Sequence, residues 1–306
     1  MVDGGTQTLT RIGGGLPFGR CDLAVEVLDL VALRRRSGAA ALAAVHRVDE
    51  HSLVLVSRGR GWHGVDFENH PCSAGTLVRV RPGQVQQFQV PSRLGGLQIR
   101  FTAEVPADAG SEPLGRLLDA RGGPVSSRLS SADQAEVGGI ADSLAAEYAR
   151  PGAAHRPEIL AHLLLALLLR VDRLGGAADG AAAPRTADAE LFARFEDELE
   201  RSFRTTRRAA DYALLLGCSV RTLTRACQGA AGRPVRDVIE ARVALEARRL
   251  LATTDEPLAQ LAHRLGFGDA AALGRFFSRH VGVAPGVFRR RCRGDGGGAR
   301  RSQRAG

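Results

Sequence analysis

The 306-residue sequence contains no lysine: all 42 of its basic residues are arginine. Biased codon usage accounts for the missing lysine, but not for where the arginines fall. There is no C-x-x-C pair either. The five cysteines, Cys21, Cys72, Cys218, Cys227 and Cys292, form an odd and scattered set. That argues against a disulfide framework or a zinc site, and for reduced thiols in the cytoplasm. Cys218 and Cys227 sit in a helical pattern and read as small apolar packers. No basic-then-apolar signal opens the chain. The longest apolar stretch, Ile159–Val171, is interrupted by His162 and Arg170 and is shorter than the roughly 20 residues a membrane span needs. Gly13-Gly14-Gly15 has no strand before it, so it is not a phosphate-binding loop. No Ser/His/Asp set and no defensible carboxylate pair is found. The chain therefore reads as a non-enzyme without a cofactor and with no membrane partner.

The charge that is present is unevenly placed. Residues 1–187 hold 20 arginines against 19 acidic residues, a net of +1, whereas residues 188–306 hold 22 against 14, a net of +8. Such asymmetry points to a polyanion, because arginine displaces counterions from phosphates. A membrane surface would attract the same charge, so charge alone does not choose between them.

Composition divides the chain further. Residues 1–20 read as a loose Gly-rich arm. From 21 to 105, short apolar runs (Ser52–Ser57, Leu77–Arg81, Val85–Val90, Leu97–Phe101) alternate with Arg58-Gly59-Arg60-Gly61, Pro82-Gly83 and Gly95-Gly96. Many short strands with such punctuation suggest a sandwich or barrel. Leu77, Arg79 and Arg81 alternating with Val78 and Val80 fit a half-buried strand. Beyond Pro106 the pattern turns helical. One helix spans Ser131–Tyr148, with Ser131 as its cap. A second spans Glu158–Leu174, with Pro157 in its first turn. The second is apolar around more than one stripe, as expected of a helix central to the fold or of one meeting a second subunit. Residues 175–187 read as a linker, and 292–306 as a disordered basic tail.

The last third carries a repeated step. Ala213 is followed by Gly217, and Ala262 by Gly266, the small crossing residue and turn glycine that a helix-turn-helix needs. In the first copy, a helix over Arg208–Leu216 leads to Ser219, an N-cap, and a helix reaching about Gly229. In the second copy, Asp269 caps a helix carrying Leu273, Phe276 and Phe277. Leu223 lies six residues after Gly217 but Leu273 seven after Gly266, so the second turn is read as one residue longer. Between the copies lies a helix over Pro234–Thr253. An ordinary helical bundle remains the plain alternative.

These residues resemble the DNA-binding domain of the AraC/XylS family of bacterial regulators. The resemblance rests on YALLLGCSVRTLTRAC, GRPVRDVIEARVALEARRLL, PLAQLAHRLGFGDAAALGRFFSRHVGVAP and GVFRR. Its most specific part is the order Gly266-Phe267, Phe277, Gly282, Pro285 and Phe288-Arg289. It covers about a hundred residues, including a leading helix over Ala189–Phe203. It implies seven helices in a domain at 188–291, with two recognition helices entering successive stretches of the major groove of double-stranded DNA. Ser219, Arg221, Thr222, Thr224 and Arg225 would form the first contact surface, with Arg221, Thr224 and Arg225 facing bases. Ala270, Ala271, Ala272, Gly274 and Arg275 would form the second. Of these only Arg275 can hydrogen-bond, and Leu273 replaces a common phenylalanine, so direct readout by the second helix is expected to be poor.

The order of strands then helices over 21–174 is similar to the cupin-like effector-sensing and dimerisation domain of that family. The expected fold is therefore α+β in two domains: a cupin-like β-barrel with dimerisation helices, then an all-α double helix-turn-helix. The resemblance implies a transcription regulator in the cytoplasm, a homodimer, an effector of unknown identity and RNA polymerase as a further partner. Trp62, His63, Phe67 and Phe88 are candidate effector-binding residues. They fit a plain barrel core as well, Phe88 more than the others. His46, His51, His63, His70 and Glu68 would be the ligands if the barrel were a metal enzyme, but no H-x-H pair occurs and no metal is expected. An architectural DNA binder is the other alternative, favoured by the sparse second helix.

Overall fold

The computed structural model describes residues 25–89, 94–102, 124–178 and 186–293. The expected arm, most of the expected linker and all but the start of the expected tail lie outside them.

The N-terminal half is a pair of antiparallel sheets. Its strands are β1 (Val25–Asp29), β2 (His46–Arg47), β3 (His51–Arg58), β4 (Arg60–Val65), β5 (Glu68–Ser73), β6 (Thr76–Val80), β7 (Val85–Gln89), β8 (Gly95–Phe101) and β9 (Ser126–Arg128). One sheet has the order β1-β8-β3-β6-β9 and the other β2-β7-β4-β5. Strand periodicity sends alternate side chains to opposite faces. On β3 and β6, Val54, Val56, Val78 and Val80 point between the sheets. Leu53 and Leu77 point the other way, onto helices α2 (Ser131–Tyr148) and α3 (Arg156–Ala178). The half-buried reading of β6 is thus corrected at Leu77, which these helices cover. Arg60-Gly61 and Gly95-Gly96 lie inside β4 and β8 rather than in turns.

Helix α1 (Leu30–Ala43) was not apparent from the sequence. Asp29 caps it, its carboxylate accepting from the amides of Val31 and Ala32 at 2.9 and 2.8 Å. Gly38 breaks it with φ 76° and ψ 156°, a conformation open only to glycine. Ser130, not Ser131, caps α2. Leu164, Leu167 and Leu168 of α3 are buried in the chain's own core. Its central role in the fold accounts for the apolar face that also suggested a subunit contact. Ile159 and Leu169 remain exposed.

Seven helices follow among the described residues: α4 (Ala187–Ser202), α5 (Ala209–Leu215), α6 (Val220–Ala231), α7 (Val235–Thr253), α8 (Leu258–Arg264), α9 (Ala270–Val281) and α10 (Pro285–Arg293). Their shared core includes Phe195, Tyr212, Leu223, Ile239, Leu261, Leu273 and Phe277. The central helix α7 runs through it.

Candidate DNA interface and the cavity of the β-rich half

Each helix-turn-helix is closed by a left-handed glycine, Gly217 at φ 66° and Gly266 at φ 71°. Behind each, the next amide reaches back to the small crossing residue: Cys218 to the Ala213 carbonyl and Phe267 to that of Ala262, both at 2.9 Å. This is a Schellman-type closure, used twice. The first turn occupies residues 216–219 and the second 265–269, so the second is one residue longer. Gly266 is also required by space, since a Cβ there would lie 2.5 Å from the Arg204 carbonyl oxygen.

The recognition helices are capped as their sequences imply. Ser219 Oγ accepts from the Thr222 amide at 3.0 Å, and Asp269 Oδ1 from the Ala272 amide at 2.6 Å. Leu223, Ala226 and Cys227 bury one side of α6, and Leu273, Phe276 and Phe277 one side of α9. Burial pushes the Cys227 thiol up to about 11, with Glu196 and Cys218 adding to it, so it packs rather than reacts.

The candidate contact residues have unequal surroundings. Arg221 and Arg275 are exposed, with no hydrogen-bond or ion-pair partner among the described residues. Arg225 is already engaged: its Nε and Nη2 donate to Asp188 Oδ2 and Oδ1, both at 2.9 Å, with Asp188 in the first turn of α4. Thr224 donates to the Val220 carbonyl within its own helix at 2.8 Å, and Thr222 shares a hydroxyl contact with Ser219. On α9, Ala271 is exposed and Ala270, Ala272 and Gly274 are half-buried. Spacing within α6 placed Arg225 on the open side but carried no signal of Asp188, 37 residues away.

Of the four residues expected around an effector, two meet in one cavity. His63 on β4 and Phe88 on β7 line it, their ring centroids 4.3 Å apart, together with residues of α1, β3 and β5. Phe88 is at once core and cavity wall. Trp62 faces outward and is 47% exposed. Phe67 belongs elsewhere. It sits at the tip of the β4–β5 hairpin and packs on the helical half, with its centroid 5.4 Å from that of Phe288 and the Arg248 guanidinium 4.3 Å over its ring. Beside it, Asp66 accepts from Arg249 Nε and Nη2 on α7 at 2.8 and 2.7 Å. Arg47 crosses the same boundary to Glu246 at 3.0 Å. The Glu246 side chain is fully buried and also meets Arg204, Arg242 and Arg249. Burial raises its acidity constant, but Arg47, Arg242 and Arg249 outweigh this and hold the carboxyl below its usual range.

The histidines suggested as metal ligands are dispersed over β2, β3, β4 and β5, with His51 stacked on Phe101. Among the described residues no three His, Cys, Asp or Glu side chains converge as a metal site. Among the same residues no helix is long and apolar enough to cross a membrane.

Comparison with known proteins accords with this geometry. Residues 31–168 match the AraC-like ligand binding domain family, and residues 212–291 a helix-turn-helix domain family. The chain is similar to the HTH-type transcriptional activator RhaS of Salmonella arizonae, 27% identical over 247 residues, which are 78% of this chain and 85% of the relative. The RhaS of Citrobacter koseri is 26% identical over the same length, with the same coverage. Among solved structures, ToxT from Vibrio cholerae covers 88% of this chain and 98% of its own, at 11% identity and a TM-score of 0.46. With a ligand binding domain match over its strands and a helix-turn-helix match over its last third, the chain belongs to the AraC/XylS family of DNA-binding transcription regulators.

Proposed function

We propose that the chain reads its operator mainly through α6 and anchors on DNA through α9, while its β-rich half senses a small molecule. The unpartnered Arg221 on the exposed face of α6 is the observation that carries the reading. Its guanidinium has both donors needed for guanine O6 and N7. Ser219, Thr222 and Thr224 flank it, and Arg225 joins once it leaves Asp188. Ala270, Ala271, Ala272 and Gly274 supply close approach or thymine-methyl contact, and Arg275 a phosphate contact. The protein acts as a regulator without catalysis, in the cytoplasm, as a homodimer, with RNA polymerase as a further partner. Because Leu164 and Leu168 are buried internally, the subunit contact uses the outer face of α3 at Ile159 and Leu169.

Selection of bound duplexes from a random library by the full chain tests the reading. A defined motif is expected. Binding without enrichment would favour the architectural reading that the apolar face of α9 keeps open.

A further inference from the structure

The cavity between the two sheets is almost wholly apolar. Leu33 and Leu42 of α1, Val54 and Val56 of β3, and Phe88 form much of its wall, and the packing leaves room for about one water molecule. Its polar groups are the Cys72 thiol, which donates to the His70 carbonyl at 3.4 Å, and the His63 imidazole. No charged side chain lines it.

His63 is 1% exposed. Its Nε2 lies 3.2 Å from Gln86 Oε1, an acceptor, so Nε2 carries the proton. Burial drives the ring's acidity constant down to about 3, with Gln86 opposing and His46 and His70 adding to the fall. At neutral pH the ring therefore holds one proton, and Nδ1 is a bare acceptor. That Nδ1 is buried without a hydrogen-bond partner. A buried unsatisfied acceptor costs stability that a donor would restore. A carboxylate brought here would lose its hydration with no cation in the wall to compensate. A sugar would leave most of its hydroxyls unpaired for the same reason.

The α1 wall also has a point at which it can give. Gly38 interrupts the helix between the segment carrying Leu33 and the one carrying Leu42, and no atom within 4 Å of its missing Cβ forces a glycine there. Conformation, not crowding, requires it.

We propose that this cavity takes a neutral, largely apolar molecule with a single hydrogen-bond donor, such as a phenol or alcohol, which donates to His63 Nδ1 as α1 opens at Gly38. The proposal rests on the reading of the β-rich half as the sensing half and names the class of effector it takes.

The test uses the full chain at pH 7 and four probes: phenol, its near-isostere toluene, benzoate and glucose, with dissociation constants from ligand-observed NMR. Phenol is expected to bind about tenfold more tightly than toluene, the ratio a single buried hydrogen bond supplies, while benzoate and glucose do not bind. In His63→Phe, phenol and toluene are expected to bind alike. The wild-type ratio stands by itself if that variant does not fold. Equal binding of phenol and toluene by the wild type would overturn the proposal. Binding of benzoate or glucose in place of phenol would overturn the ligand class and leave the sensing reading standing. Binding of none of the four would remove both from this cavity.

Discussion

Asp66 and Arg249, 183 residues apart, meet in a two-pronged ion pair across the boundary between the β-rich and helical halves, at 2.8 and 2.7 Å. The Gln84 side chain and the Val85 amide also donate to the same carboxylate. Asp66 and Phe67 form the two-residue turn of the β4–β5 hairpin, with φ of 51° and 69°. Turns of this kind favour Asn-Gly, and a phenylalanine there is strained. The contacts with Arg249, Arg248 and Phe288 hold the turn in place. Since β4 also carries His63, the hairpin links the cavity to α7, the helix joining the two recognition units.

Asp66→Asn removes the charge while keeping a residue that tolerates the left-handed turn. The expected loss of stability is about 3 kcal/mol, the low end for a broken buried pair, because Arg249 keeps Glu246 at 3.4 Å. Urea unfolding measures it. A loss below about 0.5 kcal/mol, the range of ordinary surface substitutions, would mean that the pair does not hold the halves together.

The two turn glycines separate conformation from space. Gly217→Ala meets no atom within 4 Å and Gly266→Ala meets a backbone carbonyl at 2.5 Å. The first should cost about 1 kcal/mol, the left-handed penalty alone, and the second clearly more. Equal losses on denaturation would contradict the close approach of Arg204.

Protonation of His63 is disfavoured by the fold, so the unfolded chain binds that proton first. The sign follows: stability from the neutral ring is fully present above about pH 6.5 and is lost as pH falls toward about 3. In that window the wild type should lose on the order of 1.4 kcal/mol per pH unit through this group. His63→Phe should be flatter by that slope, while His46, also lowered chiefly by burial, contributes to both proteins. Parallel curves would show that His63 is not buried as a neutral ring.

Asp188 occupies the Arg225 guanidinium at the DNA-facing helix. Asp188→Asn removes one negative charge and releases Arg225, so affinity for all duplexes should rise. A fall in affinity, measured by fluorescence anisotropy, would mean that Asp188 orients Arg225 for binding instead of competing with DNA.

Much of the helical half was legible because its signals are local. The caps at Ser219 and Asp269, the glycines at 217 and 266 and the longer second turn all follow from spacing within a dozen residues. Non-local pairings were not legible. Phe67 looks like a pocket aromatic until the fold places Phe288 against it, and Arg225 looks free until α4 brings Asp188. The β4–β5 hairpin was hidden because Asp66-Phe67 lacks the glycine that announces such a turn. Helix α1 was hidden because Arg34-Arg35-Arg36-Ser37-Gly38 interrupts its apolar pattern, and its cap, Asp29, ends a strand. The cavity was half legible. His63 and Phe88 were among the candidates, whereas Trp62 sits on the alternate face of the same strand.

The unequal division of labour between α6 and α9 is tested most directly by affinity over an operator library randomised separately in each half-site, with Arg221→Ala and Arg275→Ala beside the wild type. The account predicts that sequence information concentrates in the half facing α6. Arg221→Ala should relax preference there by roughly 1–3 kcal/mol at one or two base pairs. Arg275→Ala should weaken all sequences alike and lower the salt slope by about one. An equally information-rich half facing α9 would contradict it.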